Sequence, residues 1–141
     1  MSSAFDLDRF VEAQDGVYET ARAEIEAGRK QSHWMWFIFP QLAGLGHSPD
    51  AMYYAIDDRA EAEAYLAHPI LGPRLIGISE ALSRHKFLPI ELILGSVDAM
   101  KLRSSATLFA AVSDAPVFAE LLDQFFDGKA CEFTENQLGE R

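Results

Sequence analysis

The sequence is poor in cysteine, because Cys131 is the only one in 141 residues. A single cysteine excludes an intrachain disulfide and a zinc site built from four cysteines. The four histidines stand at positions 33, 47, 68 and 85, and none lies three or four residues from another histidine or from the cysteine. We therefore expect no metal, no cofactor and a reducing compartment.

Long apolar runs are also absent. The longest one covers the six residues 34–39, whereas a helix that spans a bilayer needs about 20. The first residues, 1–6, lack the basic start and the apolar stretch of a secretory signal. We therefore expect a cytoplasmic protein that does not associate with membranes.

Positive charge is scarce. Twelve Lys and Arg residues stand against twenty-two Asp and Glu residues, and the formal net charge is −10. A chain of this charge repels nucleic acid unless its few cations gather on one face. We therefore expect no nucleic-acid partner.

Apolar side chains are plentiful and make up 49% of the chain, with ten Phe, four Tyr and two Trp among them. A chain of this length can bury roughly two-thirds of its unfolded surface in one core. Apolar residues recur at helical spacing, and strand-like alternation is scarce. The pattern predicts an all-α, compact single-domain bundle of about six to seven helices over residues 1–141. Its ordered core should cover about residues 6–128, and the polar tail, 129–141, should fray.

Several helix boundaries carry clear signals. The first helix is predicted over residues 6–27, followed by Gly28 as a left-handed stop. Ser48 before Pro49 is typical of an N-cap followed by proline at the first helical position. Further helices are predicted to start at caps on Asp57 or Asp58, Ser96 and Asp114. The block 34–39 has no polar face and could form a buried helix or hide a strand.

The densest stretch is residues 28–42, which holds both tryptophans, two cations, a histidine and a glutamine. Ser32 could cap a short helix through this stretch. The backbone N–H groups of the first helical turn would then lie beside Lys30 at the positive end of the helix dipole, where anions bind. Trp34 or Trp36 could then stack on a flat ring. The structural alternative is that Ser32 only caps, that the cations are solvated and that the aromatic side chains are core.

A second polar group lies on a predicted helix, where Lys101, Ser104 and Ser105 share one side. One cation and two hydroxyls could meet an acceptor-rich ligand there. The alternative is an ordinary helix face whose serines bond back to the backbone. His33 could serve as a general base near neutral pH, although a histidine beside a tryptophan block is more often structural.

The runs at residues 9–14, 28–42, 65–75 and 101–109 resemble the bacterial and fungal family known as domain of unknown function 1810. The resemblance covers about residues 6–128, and it implies a small, mainly helical domain without an established activity. Polar signature residues of the family match Gln14, Lys30, Ser32, His33, Gln41, His68, Arg74, Lys101 and Ser104. Because a core would need apolar residues at these positions, the resemblance implies a shared polar pocket.

A fainter similarity links the mixture of Trp, His and Gln to the NADAR-type helical N-glycosidases, which act on ADP-ribose-like substrates. The glutamate that these enzymes place beside the histidine is absent, since His33 is flanked by Ser32 and Trp34.

Together these residues predict a polar and aromatic pocket for a small anionic ligand, of a nucleotide-like or phosphorylated kind. The predicted ligand-binding residues are Lys30, Ser32, Trp34, Trp36, Gln41, Arg74, Lys101 and Ser104. If the protein is an enzyme, the expected reaction is hydrolysis or glycosidic cleavage with His33 as the catalytic acid and base. The alternative is a non-catalytic interaction module with a purely structural aromatic core and an acidic surface that meets a basic partner.

Overall fold

The computed structural model describes residues 6–139, which fold into ten α-helices. In chain order they are α1 (Asp8–Gln14), α2 (Tyr18–Ala27), α3 (Met35–Ile38), α4 (Pro49–Tyr53), α5 (Arg59–Ala67), α6 (Leu71–Ser83), α7 (Ile90–Leu94), α8 (Ser96–Val112), α9 (Pro116–Phe126) and α10 (Glu132–Gln137). Over this range there is no strand, only an isolated parallel bridge between Leu42 and Ile56. The all-α prediction is confirmed.

The predicted number of helices is too low. The predicted first helix is two helices, α1 and α2, separated at Gly16, whose φ of 72° is left-handed. The aromatic block forms the four-residue helix α3, and α7 and α10 are helices of their own. Apolar periodicity continues across the break at Gly16, and very short helices show too few turns for a period to be read. These two effects account for the missing elements.

The cap signals have mixed outcomes. Gly28 ends α2 in the left-handed conformation with φ 82°, the Ser48 side chain accepts a hydrogen bond from the Ala51 N–H, and Asp58 caps α5 by accepting one from the Glu61 N–H. The predicted caps at Ser96 and Asp114 are wrong, because α8 and α9 have Gly95 and Ala115 at their N-caps, without a side-chain hydrogen bond.

Helix α8 lies at the centre of the molecule and packs against α3, α5, α7, α9 and α10. A series of buried rings crosses the core from α1 to α9. Phe10 contacts Tyr65 edge to face at 5.1 Å, Tyr65 lies 5.5 Å from Phe109, and Phe109 lies 5.7 Å from Phe118. These rings are fully buried or nearly so. They hold α8 in a defined position, and the candidate site is built on that helix.

The segment after Gly128, for which we expect fraying, contains helix α10 in the described range. Helix α10 packs against α8, and Thr134 within it is fully buried. The Arg103 side chain donates hydrogen bonds to the carbonyls of Lys129, at 2.8 Å, and Ala130, at 2.9 Å. The polar composition of the segment hides this docking, because a few buried groups and the hydrogen bonds from α8 hold it.

Candidate functional site

A cleft of about 420 Å³ lies between α3, α8 and the segment that leads into α4, with the start of α10 at one end. We call it the α3/α8 cleft. Its lining residues are Trp36, Gln41, Leu45, Gly46, His47, Ser48, Ala51, Val97, Met100, Lys101, Ser104 and Cys131. Among them are four of the predicted ligand-binding residues: Trp36, Gln41, Lys101 and Ser104.

One face of α8 forms a wall of the cleft. Val97, Met100, Lys101 and Ser104 follow one another at the spacing that places side chains on one side of a helix. Val97 and Met100 are exposed, with 70% and 57% of their surface accessible, whereas Ser104 is buried. The wall therefore runs from an apolar rim to a polar interior.

Gln41 supplies a polar group on the other side. Its backbone is extended and paired with the chain after α4, because the Ile56 N–H donates to the Gln41 carbonyl at 3.0 Å and the Ala43 N–H donates to the Ile56 carbonyl at 2.8 Å. Only 9% of the residue is exposed, and its side-chain amide makes no hydrogen bond with any residue of the described range 6–139. The amide is not among the fully buried unpaired groups of the described range, so its polar atoms reach the solvent of the cleft. A polar molecule bound in the cleft could therefore contact this amide.

Lys30 and Lys101 meet at one carboxylate. The Lys30 Nζ lies 2.9 Å from Asp98 Oδ2, and the Lys101 Nζ lies 3.0 Å from Asp98 Oδ1. The backbone N–H of Lys30 donates to the Ile93 carbonyl at 2.7 Å, which holds the segment after α2 against α7, the helix that immediately precedes α8. Two cations and one anion leave the cluster with a formal charge of +1, in a protein whose net charge is −10.

Asp98 stays ionised in this cluster. Burial alone would raise its pKa, but the hydrogen bonds and charges of Lys30 and Lys101 outweigh burial and lower the pKa below its usual range. Each lysine also lies over a tryptophan ring: Lys30 Nζ is 5.1 Å from the centre of Trp34, and Lys101 Nζ is 4.9 Å from that of Trp36. Both ammonium groups are thereby held by a carboxylate and an aromatic face.

The predicted anion site around Ser32 is occupied by the protein itself. The Glu24 carboxylate accepts hydrogen bonds from the N–H of Gln31 at 2.8 Å, from the N–H and hydroxyl of Ser32 at 3.0 and 2.6 Å, and from Trp34 Nε1 at 2.9 Å. Ser32 is therefore not the N-cap, which is Trp34, and α3 has no side-chain cap. Trp34 is fully buried, which leaves it no face for a ligand.

Arg74 and His33 lie apart from the cleft lining. Arg74 donates to Gln14 Oε1 at 3.2 Å and lies 5.1 Å from the ring centre of Tyr18, whose hydroxyl donates to the Arg74 carbonyl at 2.9 Å. This is a polar contact between α6 and the first two helices. The His33 side chain is exposed and makes no hydrogen bond within residues 6–139. The structure does not bring these two residues together with Gln41 and Lys101.

Three residues important to the cleft escaped the sequence reasoning: His47, Asp98 and Cys131. Asp98 precedes Lys101 by one helical turn, and this spacing could have shown that the two form an ion pair. His47 and Cys131 carried no local signal, because packing of distant segments brings them to the cleft. In the described range no group of three or more His, Cys, Asp or Glu side chains could hold a metal ion.

Comparison with known proteins identifies relatives without assigning an activity. No curated protein matches the chain. The structure is similar to the crystal structure of the conserved hypothetical protein Rv1873 from Mycobacterium tuberculosis, with 46% sequence identity, a TM-score of 0.95, and coverage of 99% of this chain and 100% of that one. Residues 4–138 match the family described as "Protein of unknown function (DUF1810)". The chain therefore belongs to this family, as its sequence motifs predicted.

Proposed function

We propose that the α3/α8 cleft binds a small molecule that carries an anionic or strongly accepting group beside a flat apolar ring. The observation that carries this proposal is the side chain of Gln41. It is nine-tenths buried, lines the cleft and has no hydrogen-bonding partner within residues 6–139. An amide in this position can both donate and accept, so it suits a polar ligand.

The lysine cluster supports an anion as the polar part of the ligand. An ammonium group has three N–H donors, and Lys101 directs one of them to Asp98. The remaining donors are available in a cleft whose nearest charged cluster is +1. In a confined site of lower dielectric constant this local charge acts on a ligand more strongly than the distant acidic surface does.

The apolar lining supports a ring as the other part. Trp36 lines the cleft and is held by the Lys101 ammonium group above its ring. Leu45, Val97 and Met100 add aliphatic surface around it. Aromatic side chains stack on flat rings of many kinds, and methionine adapts to irregular shapes.

The proposal concerns binding, and it assigns no catalytic step. The predicted hydrolysis or glycosidic cleavage depended on His33, which is not among the lining residues. His47 does line the cleft, but its side chain has no hydrogen-bonding partner within residues 6–139 that would orient it as a base. Catalysis by His33 stays a prediction without geometric support.

Thermal unfolding with matched ligand pairs tests the proposal. Nucleoside monophosphates and aromatic carboxylates should raise the melting temperature, and the corresponding nucleosides and aromatic amides should raise it much less. A ligand at 100 times its dissociation constant adds about 2.7 kcal/mol to stability. Lys101→Met and Gln41→Leu should each need about ten times more ligand to give the same shift of the melting temperature. Lys86→Met removes the same charge from an exposed lysine and is the control.

A non-catalytic interaction module remains the second candidate, and one observation favours it. Phe87 and Leu92, beside and within α7, have 97% and 67% of their surface exposed, and Leu88 adds to the same region. If no anionic compound shifts the melting temperature, and Lys101→Met behaves like Lys86→Met, the binding proposal is wrong and the interaction module is favoured.

A further inference from the structure

Cys131 lines the α3/α8 cleft, and hydrogen bonds from α8 hold its backbone there. The Cys131 N–H donates to Thr107 Oγ1 at 2.9 Å, and Arg103 holds the two preceding carbonyls. The residue is half-buried and belongs to the lining that includes Gln41 and Lys101. Its position is therefore fixed by the helix that carries the lysine.

The surroundings of the sulfur favour a reactive thiol. Ser104 Oγ lies 3.5 Å from Cys131 Sγ and 3.2 Å from the Met100 carbonyl oxygen, so its one hydroxyl proton has two acceptors within reach. Burial raises the pKa of the Cys131 thiol, but polar contacts with the first turn of α10 and with Ser104 outweigh burial and lower the pKa below its ordinary value. The thiolate is the nucleophilic form of cysteine, so a lowered pKa increases the reactive fraction near neutral pH.

A second observation points to a ligand in the same cleft. The nine-tenths buried amide of Gln41, without a partner in the described range, lines the same cleft. The Lys101 ammonium group, part of the +1 cluster with Lys30 and Asp98, lines it as well. A molecule whose anionic group contacts the amide and the ammonium would occupy the cleft that Cys131 lines.

We propose that Cys131 is a covalent modification site that reacts selectively with small electrophiles carrying a carboxylate or another anionic group. This inference rests on the anion recognition of the proposed function. In the reaction the sulfur forms a bond to an electrophilic carbon of the ligand, and the bond from that carbon to its leaving group breaks. The leaving group departs with the electron pair, and the thiol proton passes to solvent.

Alkylation by two matched reagents tests the selectivity. Iodoacetate is anionic and iodoacetamide is neutral, and both transfer a two-carbon group to sulfur with loss of iodide. Because the chain has one cysteine, the mass of the full-length protein reports its modification directly. The same chain unfolded in concentrated urea is the reference, since it presents the same thiol without the cleft.

The ratio of the iodoacetate rate to the iodoacetamide rate should be about tenfold higher in the folded protein than in the unfolded chain. The net charge of −10 repels an anion from the molecule as a whole, so a raised ratio must come from the local cluster. Lys101→Met should reduce the ratio to near the unfolded value, Gln41→Leu should reduce it in part, and Lys86→Met should leave it unchanged. Circular dichroism verifies that each variant is folded.

A folded-state ratio equal to that of the unfolded chain, or a folded protein that takes up no label, overturns the inference. Either result combined with a melting-temperature shift by anionic ligands would leave the proposed function intact and show that the anion binds away from the sulfur. A raised ratio without any thermal shift would support Cys131 as the site and reject the ring-containing ligand. The two proposals can therefore fail separately.

Discussion

Glu24 accepts four hydrogen bonds from residues that follow it by seven to ten positions: two backbone N–H groups, the Ser32 hydroxyl and the Trp34 indole. It does for residues 31–34 what a bound anion would do, because it supplies negative charge to a set of converging donors. The carboxylate thus connects α2 to the aromatic block. Glu24 is therefore a structural group, and it is the hydrogen-bond acceptor for the Ser32 hydroxyl and the Trp34 indole N–H.

Replacing Glu24 with Gln should lower the free energy of unfolding by about 2–3 kcal/mol at neutral pH, because a neutral amide loses charge-assisted bonds and turns its NH₂ group toward donors. Urea unfolding measures the change. Glu26→Gln is the matched control on the same helix, since Glu26 makes only a half-exposed ion pair with Arg22, and it should cost less than about 0.5 kcal/mol. Equal losses in the two variants would show that Glu24 has no special structural role.

The crossing of α5 and α6 depends on a glycine. A Cβ added to Gly72, in the first turn of α6, would lie 2.1 Å from the Leu66 carbonyl oxygen of α5, whereas one added to Gly77 would meet the flexible Arg22 side chain at 3.2 Å. Backbone cannot move aside as a long side chain can. The two glycines of one helix therefore differ in what they tolerate.

Gly72→Ala should lower the free energy of unfolding by about 3 kcal/mol, because the helices must separate to admit the methyl group. Gly77→Ala should change it by less than about 1 kcal/mol, since the better helix propensity of alanine offsets the contact with Arg22. Thermal and urea unfolding of both variants provide the measurement. A Gly72→Ala protein as stable as the wild type would mean that this close contact does not determine the crossing.

Helix α10 should likewise contribute to the fold. Removing residues 129–141 deprives Arg103 of its two carbonyl acceptors and removes buried Thr134. We expect a loss of about 2–4 kcal/mol relative to the full-length chain. Urea unfolding of both proteins measures this loss. If the truncated protein is as stable as the full-length chain, α10 is not part of the cooperative unit.

The acid stability of the whole molecule should reflect its two held carboxylates. Burial raises the pKa of Glu24, but its hydrogen bonds outweigh burial and lower the pKa from an ordinary value of 4.5 to about 2; the pKa of Asp98 is also lowered. Between about pH 2 and pH 4.5, Glu24 is protonated in a larger fraction of the unfolded chains than of the folded ones. The stabilisation from Glu24 is therefore complete above about pH 4.5 and lost as the pH falls toward 2.

Urea unfolding between pH 7 and pH 2 tests this linkage. The free energy of unfolding of the wild type should fall more steeply below about pH 4.5 than that of Glu24→Gln, and the difference between the two should shrink toward pH 2. Glu26→Gln should follow the wild-type curve. A constant difference across the whole range would show that protonation of Glu24 is not linked to folding.

The fold class of the whole molecule followed from local patterns in the sequence. Helical spacing of apolar residues predicted an all-α protein, and Gly28, Ser48 and Asp58 correctly marked three helix ends, because caps and stops are made within a few residues. The same spacing could not reveal the break at Gly16 or the docking of α10. Those depend on contacts with distant elements that leave no local period.

The candidate site divides in the same way. Residue types along the chain showed which side chains are polar where a core would be apolar, and they pointed to Lys30, Gln41 and Lys101. Four contacts became visible only in the folded molecule: both lysines meet at Asp98, Glu24 occupies the anion site around Ser32, Arg74 contacts Gln14 and Tyr18, and Cys131 lines the cleft. The reason is physical: residue spacing specifies which face of its own helix a side chain occupies, whereas the partner of that face is specified by packing between helices far apart in the chain.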